Sequence, residues 1–309
     1  MLKRIIIARH HGFCMGVKRA IKIAEKTAQQ DNGPVTILNE IVHNEAVVEK
    51  FRQQGVGQAF SVDEVNGGTL IISAHGIAPD IIHRAETKGL RVIDATCPLV
   101  TRIYTIIQKI VQNGYHVIHF GDRNHDETKG VVGYAPDHIT VASTKDELMA
   151  LPDWPDRKLG LTVQTTAHMA EFADVEKLAR QKWPHIEIFN TVCNATTKRQ
   201  TAIMDLAPQV DMVLVVGSQT SANSKRLARL SEALCGKGVL IGSASEIDPD
   251  WFAGDSGVEK VGISAGASTP DFLVEEVIER LVEISGGTAE VVVPEKNNRA
   301  GQRSSVPSS

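Results

Sequence analysis

The stretch HHGFCMGVKRAIKIAEK (residues 10–26) has two partial echoes further along the chain, IDATCPLVTRIYTIIQK (93–109) and NTVCNATTKRQTAIMDL (190–206). In each, a cysteine follows a strand or turn and opens an amphipathic helix pattern, and a basic residue stands five places on. The cysteines are Cys14, Cys97 and Cys193, and the basic residues are Arg19, Arg102 and Lys198. Separations of 83 and 96 residues each match one small α/β unit. The echo continues downstream. His43 in VHNE, His125 in NHDE and Ser221 in GSQTSANS lie 29, 28 and 28 residues past their cysteines. A second polar turn follows, with His75 in SAHG, Thr165 in VQTT and Ser268 in SAGAS at 61, 68 and 75 residues. Each third therefore reads cysteine–helix, strand–polar loop, strand–polar loop. Three such units about a pseudo-threefold axis would bring nine loop sites to one central cavity.

Outward from these motifs the pattern is strand and helix in alternation. Short apolar, mostly β-branched runs predict buried parallel strands at 4–8, 35–38, 69–73, 91–94, 116–120, 159–163, 212–216, 239–241 and 258–264. Apolar residues at three- and four-residue spacing predict helices over 17–28, 100–112 and 197–207. The fold class is α/β: three small parallel-sheet units, 15–97, 98–193 and 194–285, with strand 1–14 joining the core and a disordered polar tail at 295–309. A net charge of −4 argues against broad nucleic-acid binding. No apolar run approaches the ~20 residues of a membrane helix, and the start of the chain lacks a signal-peptide core. The expected setting is cytoplasmic, with no nucleic-acid or membrane partner and a monomeric state. Cysteines there are thiols or metal ligands, not disulfides.

A cysteine at a helix N-terminus meets unpaired N–H groups and the positive end of the dipole, so thiolate is favoured. Three thiolates in one cavity need a cation, and soft thiolates select zinc, copper(I) or iron–sulfur clusters. The paired C-x₂-C spacing of zinc fingers is absent. A cuboidal cluster usually takes four cysteines, so three would leave one iron without a protein ligand. Cys235, in ALCGKG at a helix end, stands outside the repeat and reads as a small core residue. Three unrelated buried cysteines are the plain alternative. His43, His75 and His125 sit in polar loops where a single histidine is commonly just solvated. Together with Ser221, Asn223 and Ser268 they suit a phosphate or diphosphate. Walker and G-x-G-x-x-G motifs are absent, which argues against ATP and dinucleotides. Glu127, two residues past His125, is placed to deliver protons, with the Thr165 hydroxyl as relay.

The segments GFCMGVKRAI, EIVHNEAVV, SAHGI, DATCPLVT, HDETKG, QTT, CNATTKRQ, GSQTSANSKRL and SAGASTPD, in this order between residues 5 and 285, resemble the motifs of the 4-hydroxy-3-methylbut-2-enyl diphosphate reductase family. The resemblance implies three α/β domains around a [4Fe–4S] cluster held by Cys14, Cys97 and Cys193. It implies the last step of the non-mevalonate isoprenoid pathway, in which an allylic diphosphate loses its hydroxyl with two electrons and two protons. The products would be isopentenyl and dimethylallyl diphosphate. By motif, His43, His75, His125, Thr165, Ser221, Ala222, Asn223 and Ser268 would line the substrate site, with Glu127 as proton source. A ferredoxin or flavodoxin would supply electrons. Two departures stand out. Ala222 replaces a serine common in the family, and Asp122 and Asp126 replace a histidine and a proline around His125, which puts the loop's shape in question. Two other functions fit the cysteines alone: a non-catalytic iron–sulfur sensor, and a zinc hydrolase with a three-cysteine or Cys–His site.

Overall fold

In the computed structural model, residues 2–253 and 257–293 are described; the tail 295–309 expected to be disordered lies outside them. The chain runs β1 (Arg4–Ile7), α1 (Met15–Gln30), β2 (Val35–Leu38), α2 (Glu45–Gln53), β3 (Gly57–Ala59), β4 (Thr69–Ile72), α3 (Pro79–Thr87) and β5 (Arg91–Asp94). It continues α4 (Pro98–Gln112), β6 (Tyr115–Phe120), α5 (Asp126–Gly133), β7 (Ile139–Ala142), α6 (Lys145–Ala150), β8 (Lys158–Val163), α7 (Met169–Lys182) and β9 (Glu187–Phe189). It closes with α8 (Asn194–Leu206), β10 (Met212–Val216), α9 (Ala222–Cys235), β11 (Gly238–Ile241), β12 (Lys260–Ala265), α10 (Asp271–Ile284) and β13 (Glu290–Val292). All nine expected strands form, with ends shifted by up to two residues. The additional strands β3, β7, β9 and β13 all lie at sheet edges. Three of them have three residues each, too short to register as an apolar run.

The strands form three wholly parallel sheets, in the orders β3-β2-β4-β5, β7-β6-β8-β9 and β11-β10-β12-β1-β13. Parallel sheets need apolar cover on both faces, and each sheet has it. The first packs Val17, Ala20, Ile21 and Ala24 of α1 with Val47 and Phe51 of α2 on one face, and Ala85 of α3 on the other. The second has Phe172 and Val175 of α7 in one core, while Val100, Ile103 and Ile107 of α4 gather with Val131 of α5 in another. The third packs Leu273 and Val277 of α10 against one face and Ile203 and Leu227 of α8 and α9 against the other.

The sheets repeat one plan, with a permutation that the spacing alone does not reveal. In each, three adjacent strands carry a first polar loop, a second polar loop and a cysteine beyond their carboxyl ends. These sets are β2-β4-β5, β6-β8-β9 and β10-β12-β1. Each cysteine thus ends a strand of one sheet and heads a helix that packs on the next. The N-terminal strand supplies the third sheet's cysteine, joining β12 in register Ile5↔Val261.

Ile5 is wholly buried in that sheet. Ile5→Ala should cost ~2–5 kcal/mol, read as a lowered urea midpoint. A loss under ~0.5 kcal/mol, the scale of a surface change, would contradict the placement of β1.

Candidate active site

Each of the nine repeat positions lies beyond a strand's carboxyl end, where parallel α/β sheets bind ligands. The cysteines are N-caps of α1, α4 and α8. Cys14 Sγ accepts from Val17 N at 3.5 Å, and Cys193 Sγ from Thr196 N at 3.3 Å. A threefold-equivalent bond holds each cysteine to the second polar loop of its own sheet: Cys14 N donates to Ala267 O, Cys97 N to Ala74 O and Cys193 N to Thr165 O, all at 3.0 Å. Gly16 lies against two of the sulfurs. A Cβ there would stand 2.4 Å from Cys97 Sγ and 3.9 Å from Cys14 Sγ, so only glycine leaves them room. Burial pushes the Cys97 and Cys193 thiols up. The N–H groups at the helix starts oppose that rise, and the neighbouring cysteines add to it. Cys235 is only partly buried, at the rim of the third sheet's core; its Sγ bonds Ser231 O at 3.2 Å, away from the other three.

The three histidines come together as one cluster. His43 and His75 stack with centroids 4.0 Å apart, and His125 stands edge-on to them at 5.3 and 5.6 Å. A ring nitrogen from each falls within 4.8 Å of the others. His43 Nδ1 is 2.8 Å from Glu40 Oε2, a pairing that leaves Nε2 for the cluster. His125 caps α5, its Nδ1 accepting from Glu127 N at 3.1 Å, so the neutral ring carries its proton on Nε2. Burial, followed by the charges of His43 and His125, holds His75 well below the usual histidine range. Burial, followed by His43, brings His125 down to about 4. At the two departures, Asp122 and Asp126, the loop is held by local bonds. Asp122 Oδ1 accepts from Asn124 N at 2.9 Å, Asp122 N donates to Gln164 Oε1 at 3.0 Å, and Asp126 opens α5.

Glu127 is 2% exposed and reaches across to β8's loop. Its Oε1 accepts from Thr165 N at 2.7 Å and its Oε2 from Thr165 Oγ1 at 2.5 Å. Burial raises its pKa, while the Thr165 bonds and the Arg226 charge pull the other way. Ser268 Oγ donates to His43 O at 2.8 Å, tying the third sheet's loop to the first sheet's histidine. Ser221 caps α9, its Oγ accepting from Ser224 N at 3.3 Å. Ala222 is that helix's first residue and offers a backbone N–H where the side chain offers none. Asn223 is buried, and its Nδ2 has no partner among the described residues. No bond joins Ser221, Ala222 or Asn223 to the histidines among the described residues; Arg226, one turn further along α9, links them to the Thr165 loop. Its Nη1 donates to Thr166 O at 3.0 Å and Thr166 Oγ1 at 2.8 Å. The sequence reading passed over Glu40, Gly16, Arg199 and Arg226. All four lie inside the quoted motifs; the contacts of Gly16 with Cys97, Arg199 with Gly12 and Arg226 with Thr166 join residues distant in the chain.

Three sheets whose polar loops and helix-start cysteines are tied together define a class, a parallel α/β enzyme with a composite site. The chain belongs to the LytB protein family, whose model matches residues 5–282. It is 39% identical over 279 residues to the 4-hydroxy-3-methylbut-2-enyl diphosphate reductase of Symbiobacterium thermophilum, covering 87% of this chain and 94% of that one. The solved E-1-hydroxy-2-methyl-but-2-enyl-4-diphosphate reductase from Plasmodium falciparum matches with TM-score 0.90 at 30% identity, over 96% of this chain and 94% of that one. A structure of (E)-4-hydroxy-3-methyl-but-2-enyl diphosphate reductase, the terminal enzyme of the non-mevalonate pathway, matches with TM-score 0.64 at 37% identity, over 91% of this chain and 100% of that one.

An anion in the histidine cluster favours the protonated rings, so binding raises a pKa that stands at about 4 in the free protein for His125. Binding of inorganic diphosphate should therefore take protons up on the protein, and affinity should rise as pH falls from neutrality. Calorimetry in buffers of different ionisation enthalpy reads the uptake. It should shrink in His125→Ala, and an unchanged proton count would contradict the assignment.

Proposed function

We propose that this chain is a 4-hydroxy-3-methylbut-2-enyl diphosphate reductase, the enzyme that removes an allylic hydroxyl to yield isopentenyl and dimethylallyl diphosphate. The observation that carries the reading is the buried Glu127–Thr165 pair, in a fold that gathers three histidines and sets three cysteines at helix starts. The curated relatives act under that name. The reductant would be a small electron-carrier protein of the ferredoxin or flavodoxin kind.

The residues suit a [4Fe–4S] cluster. Three soft donors face one another at helix starts, Gly16 clears space beside two of them, and Cys235 is turned away. Cys14, Cys97 and Cys193 would hold it. When bound, it supplies electrons one at a time and Lewis acidity at an iron that no protein side chain occupies.

The remaining roles belong to the chain. His125 offers Nε2–H, the Asn223 amide and Ser221 and Ser268 hydroxyls are polar groups, and the N-terminus of α9 adds backbone donors; all suit a diphosphate. Glu127 keeps its proton closer to neutral pH than an exposed carboxyl does, because burial penalises the anion. Handed through Thr165 Oγ1, that proton converts the departing hydroxyl to water. Two electrons and a second proton complete the carbon product, so the C–O bond breaks, one C–H bond forms and charge balances.

Glu127→Gln keeps the shape and removes the transferable proton. Turnover under anaerobic conditions should fall ~10²–10⁴-fold, with KM little changed. Full activity in this variant would overturn Glu127 as the proton source, whereas no turnover by iron-loaded wild type would leave the sensor reading ahead. Zinc without iron in the anaerobically purified protein would favour the hydrolase.

A further inference from the structure

Arg199 is a buried cation with an unusual set of neighbours. It lies on α8, six residues past Cys193, and is 5% exposed. Its Nη1 donates to Ala195 O at 2.9 Å and its Nη2 to Gly12 O, while Nε has no partner among the described residues. Both acceptors are neutral carbonyls, and each lies two residues from a cysteine, Gly12 from Cys14 and Ala195 from Cys193.

Arg226, half-buried on α9, shows the contrast. The charges of Glu171, Glu127 and Asp122 all act on it. The groups whose negative charge would act on Arg199 are the Cys14 and Cys193 sulfurs, and no carboxylate pairs with it among the described residues. A buried charge without a counter-charge is strongly destabilising. Arginine does not shed its proton to escape that cost. Thiolates at Cys14 and Cys193, the form in which they would hold a metal group, would balance that charge.

We propose that Arg199 is the built-in counter-ion of the thiolate-held group: it pins the Cys14 loop to α8 and places one positive charge beside two of the three ligands. The proposal rests on the reading that these cysteines hold an iron–sulfur cluster. Each added electron makes a thiolate-ligated cluster more negative, so a fixed positive charge favours the reduced form and raises its reduction potential. Arg199 is thus a positioning and charge-setting residue, with no contact to substrate required.

The test compares wild type, Arg199→Lys and Arg199→Met, loaded anaerobically with iron and sulfide. Two quantities are measured: the midpoint potential by EPR-monitored redox titration, and the rate of iron loss to an external chelator. Arg199→Met should shift the potential to more negative values and speed iron loss severalfold. Arg199→Lys keeps the charge but not the two-carbonyl bridge, so it should stay near the wild-type potential while losing iron faster. A wild-type potential in Arg199→Met overturns the proposal, as does an equal shift in both variants. If Arg199→Met does not load, a shifted potential in Arg199→Lys alone, or equal failure of both variants to load, also overturns it. Wild-type protein that holds no iron would instead sink the cluster reading on which the proposal stands.

Discussion

Three cysteines that share one cavity impose a charge problem that the surrounding structure is arranged to meet. As thiolates they repel, and as thiols they are poor ligands. Helix-start N–H groups favour the charged form, while burial and mutual repulsion push the Cys97 and Cys193 thiols up. The equivalent bonds from each cysteine's own N–H to the neighbouring strand's loop fix where the sulfurs stand. Because those same loops carry His75, Thr165 and Ser268, the ligand positions and the polar positions cannot shift independently.

Around that centre, burial moves acids and bases in opposite directions. It lifts Glu127 and lowers His75 and His125, so the free cavity carries less charge than its residue list implies. A site with few fixed charges suits a polyanion that brings its own. An anion there would favour protonated histidines, and burial lets Glu127 hold its proton to higher pH than an exposed carboxyl. Separated pKa values of this kind assign acid and base roles within a single pocket.

Much of this was legible in the sequence because the repeat is chemical as well as structural. Cysteine at a helix start, then two polar turns after apolar runs, identifies nine positions, and all nine lie beyond strand ends. The α/β class and the parallel strands followed from buried β-branched runs such as Met212–Val216. The permutation was not legible. Spacing groups Cys14 with His43 and His75, whereas pairing of β1 with β12 groups it with Ser221 and Ser268. Strand pairing between residues 256 positions apart, as in Arg4↔Lys260, leaves no local trace in either segment. Short edge strands such as Gly57–Ala59 were missed for the opposite reason, since they have too little pattern to detect. Arg199 and Arg226 were passed over because an arginine on a helix usually reads as solvated; only the fold shows them turned inward.

The placement of β1 also sets an order of events in time. This strand is made long before its partners β12 and β13. The first two sheets can close while the chain is still growing. The third cannot, and until it does the loop bearing Cys14 has no Ala267 carbonyl to hold it. Cys14 therefore takes its place beside the other two cysteines only after β12 is made, so a chain that stops short of β12 lacks that anchor.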